Sequence, residues 1–142
     1  MSSYFGGNGA DRVGGLQVDG GSIYLVGQTD STNLPTTSNA LQRNPGGDFD
    51  AFVARIRLID RQLEYCSYLG GAGSDETVGQ GLSLDRSGNL IVVGDTDSAN
   101  FMVTPGVVQP TPGGGVDTFV TKFKLPGSAK HPRSPATSSS AF

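Results

Sequence analysis

The strongest constraint on this chain is that it repeats itself. The stretch SYFGGNGAD begins at Ser3, and SYLGGAGSD begins at Ser67, 64 residues later. The match continues as GLQVDGGSIYLVGQTDSTN from Gly15 against GLSLDRSGNLIVVGDTDSAN from Gly81. It resumes as QRNPGGDFDAFVARIRL from Gln42 against QPTPGGGVDTFVTKFKL from Gln109, by which point the offset is 67. Two copies of one unit therefore cover residues 3 to 125. A period of this length marks a repeated supersecondary unit, one that cannot bury its apolar faces alone and needs a neighbour to cover them.

Each unit holds four strand-like runs. In the second copy GLSLD comes first, with Leu82 and Leu84 on one face and Ser83 on the other. A turn, RSGN, leads into NLIVVGDT, apolar at each position from Leu90 to Val93, the pattern of a strand covered on both faces. SIYLVGQT is its counterpart. After a long loop comes DTFVTKFKL, whose strict alternation, like that of DAFVARIRL, predicts a half-exposed strand. The fourth run, LEYCSYLGG, stands in full between the copies, and its end recurs at the N-terminus as SYFGG. Hence the chain is expected to start on the last strand of one unit and to stop after the third strand of another. No stretch shows helical periodicity, and Gly (22 residues) and Pro (8 residues) interrupt every segment long enough for a helix.

The expected fold is all-β. The expected architecture is propeller-like, with two four-stranded antiparallel blades in offset phase forming an incomplete ring. A two-sheet β-sandwich of the same strands is the alternative. The expected units are a first repeat over 1–66, a second over 67–125, and a disordered tail over 126–142, where PGSAKHPRSPATSSSAF offers little apolar surface to offset chain ordering.

Composition narrows function mainly by exclusion. A net charge of −3 with scattered basic residues gives nothing to follow a phosphate backbone. No apolar run has the length of a membrane span, and MSSYFGGNG lacks a signal-peptide pattern. Cys66 is the single cysteine, which rules out an intrachain disulfide; His131, the single histidine, lies in the polar tail. No Ser-His-Asp or Cys-His arrangement is therefore expected in the folded region.

Three groups of oxygen-bearing residues are candidates for a site. GGNGADRVG, from Gly6, matches the G-G-x-G-x-D-x-U-x nonapeptide that binds calcium in β-helical rolls, with Asp11 as its acid; GGAGSDETV repeats it with Asp75. A calcium roll repeats that motif every nine residues or so, whereas here the next copy is a whole unit away. A lone carboxylate is also a poor cage for an ion that takes about six to eight oxygens. Asp11 and Asp75 are therefore weighed as metal ligands against a structural role, tying down a glycine-rich turn, and the structural role is favoured. The second group is GQTDSTN and GDTDSAN, contributing Asp30, Asn33, Asp95, Asp97 and Asn100. Such loops would hold a cation or sugar hydroxyls, or would form Asx and Ser/Thr turns. Asp50 and Asp117, third, precede AFV and TFV and are expected to make a hydrogen bond at the strand's start or between blades. The long loops, 31–49 and 98–116, are the general candidates for recognition.

SYLGGAGSDETVGQGLSLDRSGNLIVVGDTDSANF and GGGVDTFVTKF resemble the bacterial β-propeller repeats called SBBP repeats. Their pattern runs YLGG, an Asp-containing loop, a D-x-x-G-N turn, a V-x-G-x-T strand end and D-x-F-V-x-K. Copy one departs at the turn, where DGGS stands, and carries Arg55 in place of Lys122. The resemblance implies a long, multi-blade protein of the bacterial surface or exterior. It implies a scaffold or a binding module for protein or glycan, without enzymatic activity and without a required cofactor. Part of a propeller-type carbohydrate-active enzyme or lectin is the alternative. Two blades cannot close a ring that takes about four to eight, so partners are expected: further blades in cis, or further copies of the chain.

Overall fold

The computed structural model describes residues 2–77 and 79–125. The tail expected over 126–142 lies outside the described residues. Eight strands are present among the described residues: β1 (Asp11–Asp19), β2 (Ser22–Thr29), β3 (Asp50–Arg57), β4 (Leu63–Leu69), β5 (Asp75–Glu76), β6 (Leu82–Leu84), β7 (Leu90–Thr96) and β8 (Asp117–Phe123). They form two four-stranded antiparallel sheets that do not close into a barrel. The chain is all-β among the described residues, as expected, and has no helix long and apolar enough to cross a membrane.

The first sheet is a meander in the order β1-β2-β3-β4. Gly20 and Gly21, at φ 54° and 77°, make the two-residue turn that joins β1 to β2 with Asp19 opposite Ser22. Two successive positive φ angles define the hairpin turn whose twist suits antiparallel strands, and glycine takes them without a steric cost. The second sheet reproduces this layout with different local chemistry. β5 and β6 lie end to end along one edge of β7, β5 against Thr96 and Asp95 and β6 against Val92 to Leu90. Together they occupy the position of β1, and β8 lies on the other edge of β7 as β3 lies on β2. At the turn the Asp85 carboxylate takes over, accepting the Ser87 and Asn89 N–H groups at 2.8 and 2.9 Å. β4 runs through to Leu69, so Ser67, Tyr68 and Leu69 complete the first sheet.

Pleat alternation sends the two faces of the first sheet into separate cores. Tyr24, Val26, Ala51, Val53, Tyr65 and Leu69 face the second sheet, meeting Leu90, Val92, Phe119 and Phe123 with Leu82, Leu84 and Phe101 packed alongside. The opposite face gathers Leu25, Phe52, Ala54, Cys66 and Tyr68 beneath Leu34 and Phe5.

Two expectations about exposure are corrected here. The alternating pattern of DAFVARIRL predicts a half-exposed strand, yet β3 is buried at each position from Asp50 to Arg55. Its apolar run predicts a doubly covered β7, yet β7 alternates buried with half-buried. The reason is position in the stack. β3 has a sheet on one face and Leu34 with Phe5 on the other, while among the described residues only one face of the second sheet packs into a core. A buried cation also falls on β3: Arg55 bonds Glu64 at 3.0 Å and lies 5.5 Å from the Tyr24 ring centre. Its counterpart Lys122 is exposed and pairs with Asp85 at 2.6 Å.

The N-terminal segment differs too. Residues 3–7 are expected to form a strand end but are not in a strand. Tyr4 is exposed, whereas its counterpart Tyr68 is buried in β4. Ser67 and Tyr68 pair with Val53 and Phe52 of β3. Without such a strand beside them, Ser3 and Tyr4 have no ladder to join.

Candidate functional site

At one end of both sheets a glycine-rich loop meets the end of the β2 or β7 strand. In the first copy the N–H groups of Gly7, Asn8, Gly9 and Ala10 donate in turn to the Asp11 carboxylate, the Asn33 side-chain oxygen, the Ser31 hydroxyl and the Asp30 carboxylate, at 2.8, 2.7, 2.8 and 2.5 Å. In the second, Gly71, Ala72, Gly73 and Ser74 donate to Asp75, Asn100, Ser98 and Asp97 at 2.7, 2.8, 2.8 and 2.6 Å. The four loop N–H bonds of the two clamps correspond one for one, and the first clamp adds a bond from the Thr29 hydroxyl to Asp11 at 2.6 Å. Loop N–H groups left without a partner would be costly to desolvate, and a row of short acceptors satisfies each of them.

The strand end is itself folded to present these acceptors. The Ser31 N–H donates to the Thr29 hydroxyl at 2.9 Å, and Ser98 N–H to Thr96 at 3.0 Å, a turn closed by a side chain. The Ser31 hydroxyl then donates to Asp11, and that of Ser98 donates to Asp75 at 2.8 Å. Glycine is required where the loop and strand end touch. A Cβ on Gly9 or Gly73 would collide with the carboxylate of Asp30 or Asp97.

The sequence-predicted residues thus separate into groups. Asp11, Asp30 and Asn33 come together in one clamp, and Asp75, Asp97 and Asn100 in the other. Asp95 stands apart on β7, where it accepts a bond from the Thr118 hydroxyl at 3.1 Å on the exposed surface. Asp50 and Asp117 close a second kind of loop, accepting the Gly46 and Gly113 N–H groups at 2.9 and 2.8 Å. The partners that complete the clamps, Ser31 and Ser98 with Thr29 and Thr96, are carried by the repeated T-D-S-x-N, which is the signal in the sequence that marks them.

Two carboxylates converge at the junction between the sheets. Asp50 and Asp75 are buried, and a Cβ on Gly70 would meet both. One oxygen of each, Oδ1, has no hydrogen-bond partner among the described residues. Burial pushes the Asp50 carboxyl above its ordinary range, and the Asp75 charge adds to that push. Among the described residues no group of three or more His, Cys, Asp or Glu is arranged to hold a metal ion.

The long loops behave differently in the two copies. In the first, residues 31–49 lie along the outer edge of β4. Thr37 N–H donates to the Cys66 carbonyl at 3.0 Å, Cys66 N–H to the Thr37 hydroxyl at 3.1 Å, and Tyr68 N–H to the Gln42 carbonyl at 3.1 Å. The Tyr68 hydroxyl accepts the Leu34 N–H at 2.9 Å and donates to the Ser31 carbonyl at 2.8 Å. β4 is therefore held between β3 and a loop. In the second copy the loop 98–116 faces β8 across an open groove of about 840 Å³, lined by Phe101, Thr104, Gln109, Phe119 and Val120 among others.

These observations agree with what comparison finds. Residues 64–101 match the family described as Beta-propeller repeat, SBBP, so the chain carries a β-propeller repeat at the junction of its two sheets. Over 74 residues, 51% of the chain, it is 36% identical to the regulatory protein FlaEY of Caulobacter vibrioides. The aligned part is 8% of that protein's length.

Proposed function

We propose that the chain is a non-catalytic β-propeller scaffold that presents one loop-bearing end to a protein or glycan partner at the bacterial surface. One observation carries this reading. The acids and amides that suggest chemistry in the sequence, Asp11, Asp30, Asn33, Asp75, Asp97 and Asn100, spend their oxygens on loop N–H groups. A general acid–base pair needs carboxyl groups aimed at a substrate, and these are aimed at their own backbone. The same bonds hold the loop-bearing end in a fixed shape, which is what a recognition surface on a rigid frame requires. Similarity to a protein described as regulatory supports a binding role over a hydrolytic one.

The test has two arms. Incubation with a polysaccharide panel is expected to release no reducing sugar. Release that is lost in Asp95→Asn, with the clamps left intact, would replace the scaffold by a carbohydrate-active enzyme. A glycan array and affinity capture from surface extracts then identify the partner class. Protease treatment of intact cells is expected to remove the protein from its surface location, and protection until lysis would overturn that placement.

A further inference from the structure

We propose that the groove between β8 and the loop 98–116 is a strand-receiving slot, and that its occupant is the segment Ser2–Phe5 of a second copy of this chain. The proposal deepens the scaffold reading by naming the partner of the second sheet, and it rests on that reading for the propeller geometry alone.

The first sheet shows what such a slot holds. There β4 fills the space between β3 and the loop 31–49, bonded on both edges. The walls of the second slot repeat those of the first. β8 matches β3, Thr104 matches Thr37, Gln109 matches Gln42, and Phe101 matches Leu34. The chain following β8 reads PGSAKHPRSPATSSSAF, with no match to LEYCSYL. S-Y-apolar-G-G, however, does recur, as Ser3 to Gly7.

The N-terminal segment is already placed for this. Phe5 packs against Phe52 with ring centres 5.8 Å apart, on the face of the first sheet turned away from the second. Leu69, its counterpart, likewise packs on the sheet that follows its own strand. The segment is thus anchored on one sheet and presents an unpaired strand end to another. Its own second sheet lies on the opposite face, out of its reach, whereas a second copy presents the same β8.

The register follows from the first sheet. Tyr68 stands opposite Phe52, Ser67 opposite Val53 and Leu69 opposite Ala51. Tyr4 would then stand opposite Phe119, Ser3 opposite Val120 and Phe5 opposite Thr118. In this position the Tyr4 hydroxyl bridges Phe101 N–H and the Ser98 carbonyl, as Tyr68 bridges Leu34 and Ser31. In the chain alone, Phe101 N–H bonds the Ser98 carbonyl directly at 3.3 Å.

Stacking of the faces supports the same pairing. Val120 is 69% exposed, while Val53 at the same position of the first sheet is 0% exposed beneath the second sheet. Leu16 and Val18 are exposed, while their counterparts Leu82 and Leu84 pack into the inter-sheet core. One molecule's Ile91, Val93 and Val120 would cover the next molecule's Leu16 and Val18, a head-to-tail contact that closes into a ring or continues as a filament.

The experiment uses the full chain. Sedimentation equilibrium is expected to give a multiple of 14.6 kDa, and Ser3→Pro, which removes an N–H aimed at β8, is expected to weaken association by about tenfold or more. Circular dichroism matching the parent shows that this variant remains folded. Ser3→Cys mixed with Val120→Cys is expected to give a disulfide-linked dimer, and Ser3→Cys mixed with Ile59→Cys is not. A monomer up to the solubility limit would overturn the proposal. So would an assembly indifferent to Ser3→Pro, or equal cross-linking to Cys at 59 and 120. None of these readouts involves a ligand, so partner binding stands or falls separately.

Discussion

The Ser98 hydroxyl donates to the buried Asp75 carboxylate at 2.8 Å, and Ser31 makes the same contact with Asp11 at 3.0 Å in the first copy. The chemistry is shared, but the surroundings are not: Asp75 is buried between the sheets, whereas Asp11 is half-buried at the free end of the first. A hydrogen bond to a charged group contributes more as water is excluded. Asp75→Ala is therefore expected to cost about 3 kcal/mol and Asp11→Ala about 1 kcal/mol. Urea denaturation of the two variants measures the difference, and equal losses would show that burial does not set the strength of the clamp.

Calcium is the other reading of these aspartates. For an ion to bind Asp11, whose two carboxylate oxygens both accept bonds, those bonds would have to be surrendered, whereas Asp75 accepts its N–H and its hydroxyl on Oδ2 alone. The expected melting temperature is the same in calcium and in chelator. A rise of several degrees on adding calcium would place an ion at the junction, with the unpaired Oδ1 atoms of Asp50 and Asp75 as the first ligands to test by substitution.

Asp50 gives a pH signature. Its carboxyl titrates above the ordinary value of 3.8 because burial disfavours the charge, with Asp75 adding to the effect. A folded-state pKa above the unfolded one means that the folded protein holds the proton more tightly. This group then favours the folded state most at low pH, and that contribution is lost as pH rises from 3.8 through the raised value. Asp50→Asn, which keeps an oxygen for the Gly46 N–H, is expected to remove that slope. Unfolding free energies across mildly acidic pH test it, and an unchanged slope would assign the dependence to another group.

Cys66 reports on the lodging of β4. Burial between β3 and the loop 31–49 pushes its thiol up to about 12, and only the thiolate reacts. Native protein is expected to resist a thiol reagent and to react as urea unfolds it, along the same curve as the circular dichroism signal. Labelling well below the unfolding transition would show that β4 detaches on its own.

Repetition made the strand order and the turns legible in the sequence, because glycine, aspartate and asparagine mark backbone geometry locally. Exposure was not legible in the same way. DAFVARIRL and DTFVTKFKL have one pattern and two fates, since a strand's second face is covered by whatever the fold stacks on it. The turn-tying use of Asp11 and Asp75 was legible beside the glycines, but the partner loop of Asp30, Asn33, Asp97 and Asn100 was not. T-D-S-x-N suits a ligand and a backbone alike, and only the approach of the glycine loop, some twenty residues away in sequence, decides between them. The groove beside β8 was invisible for a related reason, since it depends on a loop folding back beside that strand.

The clamp draws its donors from the main chain of the glycine loop. The four loop N–H bonds persist although the residues between the glycines differ, Asn8 against Ala72 and Ala10 against Ser74, and the Asn8 amide adds bonds of its own, accepting the Thr32 N–H at 2.9 Å and donating to the Thr32 hydroxyl at 3.1 Å. A joint of this kind tolerates divergence at its outer surface without loosening. Successive units can then be added by duplication and each given its own face, so that the junction stays standard while the displayed chemistry drifts.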